Sequence, residues 1–401
     1  MKTLNRALID LLELTKYRRS LRVPLLSSSG NSWCPHSNRI LPAITVGIAA
    51  IVVCLCGRNL PAEPPAGAED AARAEAVCLS NVTQLTFDSM GFTKAGEAYF
   101  SPDGKTIIFQ AVPKNEGIGA DEYQIYTLEI GSQSHRMVST GKGACTCAYY
   151  QPDGKKIIFA SSHLDPTLGQ PKPPKPAGGY NWDFNEFMDI FEANPDGTEL
   201  QRLTDAPGYD AEDTVNWPSD RILYTSKASG DLELWSMASD GGDKRRLTSA
   251  PGYDGGAFFS RDGKRIVMRA HHPKPGPELD RYLDLLGRDL TAPMKMELFV
   301  GRSDGSQMRQ ITDFGCASFA PQFTPDGRRI LFSSNRNHCD SREFELFLVD
   351  IDGSNLRQVT DFGGFTSFAE FSPDGKRVVF SSSLNSTSRY EFNIFVADWV
   401  E

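Results

Sequence analysis

Cysteine and histidine are both scarce here, with eight and six among 401 residues. Cys145-x-Cys147 could be half of a metal site, but it has no matching second pair, and buried or unpaired thiols are the plainer reading. Cys78, Cys145, Cys147, Cys316 and Cys339, the five beyond residue 56, are an odd number, so they do not form a complete disulfide framework. No glycine-rich phosphate cradle occurs. Gly301-Arg302-Ser303-Asp304-Gly305 matches a nucleophile elbow in letters only, because it falls between two short strands rather than between a strand and a helix. Asp350-Ile351-Asp352-Gly353 lacks the distal Glu of a calcium loop.

Charge and hydropathy divide the chain. The net charge is -9. Residues 1–39 carry seven basic and two acidic side chains, a surplus of five, which leaves -14 for the remainder. That balance argues against nucleic acid as a partner, and basic pairs such as Lys155-Lys156 and Lys376-Arg377 are dispersed along the chain. Residues 40–56, ILPAITVGIAAIVVCLC, are seventeen residues without a charge behind a basic flank. This reads as a signal-anchor or transmembrane helix through the inner membrane, or as a cleaved signal. A lipoprotein signal at Cys54 or Cys56 and a buried core helix are the other readings. Either main case places the remainder in the periplasm, as a single-pass protein or free if the leader is cleaved. Residues 57–81 are rich in Pro, Ala and Glu and read as a disordered linker.

Beyond that point the chain repeats. Phe100-Ser101-Pro102-Asp103-Gly104 recurs as Tyr150-Gln151-Pro152-Asp153-Gly154, Trp217-Pro218-Ser219-Asp220, Phe259-Ser260-Arg261-Asp262-Gly263, Phe323-Thr324-Pro325-Asp326-Gly327 and Phe371-Ser372-Pro373-Asp374-Gly375. Pro fixes φ, Asp bonds its own backbone and Gly accepts positive φ, so each copy is a tight turn. A β-branched run follows, then an alternating run, then Asp-Gly and a strand ending in Thr. Four short strands A to D per unit, six times over, predict an all-β, six-bladed β-propeller over 82–401. The sixth unit lacks its D strand, and an orphan strand, Val82 to Phe87, stands at the front. Paired with the last C strand, it closes the ring and removes an exposed edge.

Turns A–B and C–D share one face and are short. The opposite face carries two long B–C loops, from His163 to Phe187 and from His271 to Met294. The first holds Trp182 and Asp183. The second spaces Leu279, Tyr282, Leu283 and Leu286 as an apolar helical stripe after Pro277. Four of the six histidines, His163, His271, His272 and His338, follow B strands. Two similar D–A loops add Tyr209-Asp210 and Tyr253-Asp254. His163, His271, His272, Asp210 and Asp254 are therefore candidate ligands for a divalent metal. The plain alternative is that Tyr-Asp braces its loop and each His bonds a carbonyl. Cys316 and Cys339 fall on this same face, within disulfide reach.

The Ser-Pro-Asp-Gly-Lys-Arg core with its later Asp-Gly-Ser and Leu-Thr resembles the TolB-type propeller repeat over Val82 to Trp399. Similar repeats occur in tricorn-protease and prolyl-oligopeptidase propellers. The resemblance implies a non-catalytic, extracytoplasmic binding or scaffold propeller of the bacterial envelope, with a protein or saccharide ligand and no cofactor. TolB works as a periplasmic adaptor for a peptidoglycan-associated lipoprotein. The α/β domain that precedes its propeller has no counterpart in the short stretch after residue 56. A related-looking propeller, oligogalacturonate lyase, implies the alternative of a metal-dependent polysaccharide lyase.

Overall fold

The structure is a computed structural model, and it describes residues 78–114, 122–170, 180–293, 295–388 and 391–401. The apolar segment 40–56 and most of the linker lie outside these residues. Among the described residues no helix is long and apolar enough to cross a membrane.

Six four-stranded antiparallel sheets form the ring. Their A strands are Phe92–Phe100, Cys145–Tyr150, Asp210–Asn216, Tyr253–Phe259, Ser318–Phe323 and Thr366–Phe371. Each A strand packs beside the A strands of both neighbouring blades, so these six surround the axis. The D strands are only two or three residues long in blades 1 to 5. Blade 6 receives its D strand from the front of the chain. Leu79–Gln84 pairs antiparallel with Asn393–Trp399, with Thr83 opposite Val396. The closure is as predicted, although the strand begins at Leu79 rather than Val82.

The repeated letters have repeated physical jobs. In the A–B turn, the Ser101 hydroxyl donates to Asp103 Oδ1 and accepts from the Thr106 amide, while Asp103 also accepts from the Lys105 amide. Ser372-Asp374 repeats that triad. The following basic residue ties blades together: Arg265 Nη2 donates to the Gly327 carbonyl and Arg377 Nη2 to that of Gly104. The dispersed basic pairs are thus partly inter-blade staples. The Thr ending strand D is a latch on strand C. In blade 5 the Thr360 hydroxyl accepts from the Leu346 amide and donates to Glu345. Thr204, Thr248 and Thr312 repeat this, and Ser139 stands in for Thr in blade 1. In blade 6 the latch is Thr86, which accepts from the Ile394 amide and donates to Asn393 Oδ1.

One feature the repeat did not disclose is a bulge in every A strand. Glu97, Cys147, Glu212, Gly256, Ala320 and Phe368 each take positive φ at the same position, beside a register shift against strand B. The next residue is Ala98, Ala148, Ala257 or Ala369 in four blades and Pro321 in another, but Asp213 in blade 3.

Two stability measurements check this description. Thr86→Val removes both latch bonds at the seam and should cost about 1–3 kcal/mol in urea unfolding; an unchanged midpoint would contradict the seam. Asp213 is 0% exposed, both its carboxylate oxygens lack a hydrogen-bond partner, and burial pushes its pKa well up. The unfolded carboxyl ionises near pH 4, so wild type loses stability as pH rises above that value. Asp213→Ala, matching the other blades, should raise Tm at pH 7 by on the order of 2–4 °C. The gap should shrink towards pH 4, and a pH-independent gap would refute the assignment.

Candidate functional site

The long loops meet. Trp182–Asp183, from the blade 2 loop, pairs antiparallel with Leu290–Thr291, from the blade 4 loop, as a separate two-stranded sheet. Between them the helix α1, Pro277–Leu286, starts on Pro277 as predicted. Tyr282, Leu285 and Leu286 are buried, whereas Leu283 is 51% exposed, so Leu285 takes the place expected for Leu283. Phe184, Tyr282 and Leu286 pack on Leu232, Tyr253 and Met296 at the upper ends of blades 3 and 4. Polar anchors fix this lid. Tyr282 OH donates to Asp231 Oδ1, and Lys227 Nζ reaches Asp289 and the Leu286 carbonyl, closing the end of α1.

Beneath the lid lies the axis. Arg269, on strand B of blade 4, is buried and ion-paired to Glu212, and its guanidinium also donates to Tyr253 OH. The guanidinium carbon lies 5.3, 5.6 and 5.7 Å from the ring centroids of Trp182, Tyr253 and Phe319. It occupies the space that a side chain at Gly256 would need. Arg269 Nε has no partner. Glu97, on blade 1, feels the charges of both Arg269 and Glu212. Blades 1 and 4 are opposite members of a six-membered ring, so Glu97 and Arg269 face each other across the axis, with Glu212 beside Arg269 on blade 3. Burial holds the Glu97 carboxyl above its ordinary range. Below them Tyr99 lies 3.9 Å from Tyr149 and 6.3 Å from Phe258, ring to ring, and fills the axis. Glu370 accepts from the Phe100 amide and from Tyr149 OH, and burial lifts its pKa to about 8.

The mouth has two unlike halves. Blades 1 to 3 contribute Glu97, Cys147 and Glu212 at their bulges. On the other side an aromatic arc runs from Trp182 to Phe319 (5.3 Å), Phe344 (5.3 Å) and Phe365 (5.9 Å), where Phe368 and Phe392 join it. Glu97, Cys147, Glu212 and Phe368 sit on the innermost strands yet are only partly buried.

The residues singled out in the sequence take several places. His272 Nε2 lies 2.7 Å from Asp254 Oδ1, and that bond raises the histidine pKa. Asp254 is 1% exposed and its second oxygen is unpartnered. His163 bonds Ser161 and packs on Phe191, and burial lowers its pKa, as it does for His271. Burial raises the Asp210 pKa to about 6, against bonds from Ser226 and Thr204 that pull it down. Tyr209 packs on Phe184 of the lid, Tyr253 and Trp182 on Arg269, and Asp183 is exposed in the lid sheet. Among the described residues no group of three or more His, Cys, Asp or Glu side chains stands close enough to hold a metal. Cys316 and Cys339, which the sequence placed on one face without deciding their state, form a disulfide; Cys78, Cys145 and Cys147 are free. Glu97, Glu212, Asp213 and Arg269 were missed. Nothing local marks them; a six-row alignment of the A strands would have shown Asp213 as the exception.

This geometry defines a six-bladed β-propeller with a lidded axial mouth. No protein-family model and no curated protein matches the chain. Solved structures do. A putative TolB from Agrobacterium tumefaciens is 20% identical, with 76% of this chain and 90% of that one covered at a TM-score of 0.50. TolB from Acinetobacter baumannii is 16% identical, covering 69% and 56% at 0.50. Hydrazine synthase from Kuenenia stuttgartiensis is 14% identical, covering 79% and 49% at 0.51. At these identities the likeness concerns the fold.

Tyr282→Phe should loosen the lid without unfolding the ring. A bond to a charged acceptor is worth about 1.5–3 kcal/mol, so proteolysis within Pro277–Leu286 should quicken about tenfold or more while the global Tm changes little. Unchanged cleavage would show that the anchor is not needed.

Proposed function

We propose that this protein is a non-catalytic, extracytoplasmic binding or scaffold propeller that engages a protein or cell-envelope ligand with its lid face. The observation that carries the reading is the joining of two loops from non-adjacent blades into one sheet over the mouth. Such a bridge costs chain entropy, and it adds nothing to closure, which the seam already supplies. The opposite face consists of short, hydrogen-bonded turns. Among the described residues, Leu164 (52%), Tyr180 (52%) and Leu283 are large apolar side chains exposed on the two long loops. Arg342 lies 5.2 Å from the Tyr180 ring, as aromatic–arginine pairs do at recognition surfaces.

The compartment is part of the proposal. The Cys316–Cys339 disulfide suits an oxidising environment, and residues 40–56 would anchor or export the propeller to the periplasmic side. The saccharide-lyase alternative receives no support from the site, since His163, His271 and Asp210 each have separate surroundings.

Leu164→Ser, Tyr180→Ser and Leu283→Ser combined should abolish cross-linking to envelope partners in intact cells. Lys105→Glu with Lys264→Glu, on the turn face, should leave it unchanged. Equal capture by the wild type and the lid variant would reject the lid face as the binding surface.

A further inference from the structure

We propose that the lidded axial mouth binds an organic cation: a protonated amine or quaternary ammonium carried on an apolar body. The charge balance comes first. Glu97 feels the charges of Arg269 and Glu212, Arg269 is ion-paired to Glu212, and Asp213 feels the charge of Glu97. Arg269 answers Glu212. Glu97 accepts from Tyr99 OH at 3.0 Å and from the Cys147 thiol, both neutral donors, and Asp213, wholly buried and in the field of Glu97, accepts none. Buried carboxylates without a counter-charge are costly, and a bound cation offsets that cost.

The aromatic half supplies the rest. Phe319, Phe365 and Phe368 are only partly covered, and ring faces attract a cation that also carries apolar surface. The site already shows this chemistry once. Arg269 is held among Trp182, Tyr253 and Phe319 with Glu212 as counter-ion. An anionic saccharide would meet two opposing carboxylates instead, and a bare metal ion would find no third ligand among the described residues. The ligand class therefore follows from both halves together: positive charge towards Glu97, apolar body towards Phe365 and Phe368.

The inference rests on the binding reading above but fails separately from it. The test is calorimetric titration of the purified full-length protein with benzyltrimethylammonium, phenylacetate and benzyl alcohol. Saturable binding of benzyltrimethylammonium alone is expected. Glu97→Gln, which keeps an acceptor for Tyr99, should weaken it about tenfold or more, and Phe365→Leu should do likewise. A second reading of each variant by Tm confirms folding. Absence of saturable binding, equal affinity for phenylacetate or benzyl alcohol, or indifference to both substitutions would each overturn the proposal. Lid-face cross-linking with no binding at the axis would end this inference and leave the binding function standing.

Discussion

The seam at Thr86 is the constraint from which the rest of the molecule follows. A four-stranded blade cannot bury its faces alone; it needs a neighbour on each side. In a ring that condition is met everywhere only if the last blade is completed. Here the completing strand comes from the far end of the sequence and reproduces the side-chain latch of the other blades, with Thr86 on Asn393 and Ile394. Arg377 reaching the Gly104 carbonyl seals the same junction from the turn face. Once the seam holds, six A strands converge on one axis, and side chains far apart in sequence have to share that space.

What the blades do with the shared space differs from one to the next. The backbone is nearly the same in all six, down to the left-handed residue in each bulge. The side chains at that position are not. Two glutamates and a cysteine come from blades 1 to 3, while glycine, alanine and phenylalanine come from blades 4 to 6. Gly256 matters because it vacates the place into which Arg269 folds. Polarity is thus arranged around the axis by single substitutions in a repeated frame, and a lid borrowed from two blades covers part of the result.

The propeller, its blade count, its closure and the common side of both long loops were legible before any coordinates, because turns and period-two strands are local. So was the helix from Pro277, down to its first residue. The stripe was off by two positions at its outer end: Leu283 faces solvent and Leu285 does not, since the lid packs on α1 from a direction the spacing could not indicate. The histidine–carboxylate grouping was read from loops on one rim. Only His272 and Asp254 meet, because residues that share a rim are still separated by a blade's width unless the strands carry them inward.

The chain's own letters determined the blades, since Pro, Asp, Gly and the closing Thr act through bonds to residues nearby or to the adjacent strand. Those bonds are short-range and repeat with the sequence. The contents of the axis were decided by the tertiary structure alone. Glu97, Glu212 and Arg269 are brought together across a ring, and Trp182 and Thr291 are paired over it. Such contacts depend on how six twisted sheets are wound, and no local pattern encodes that winding.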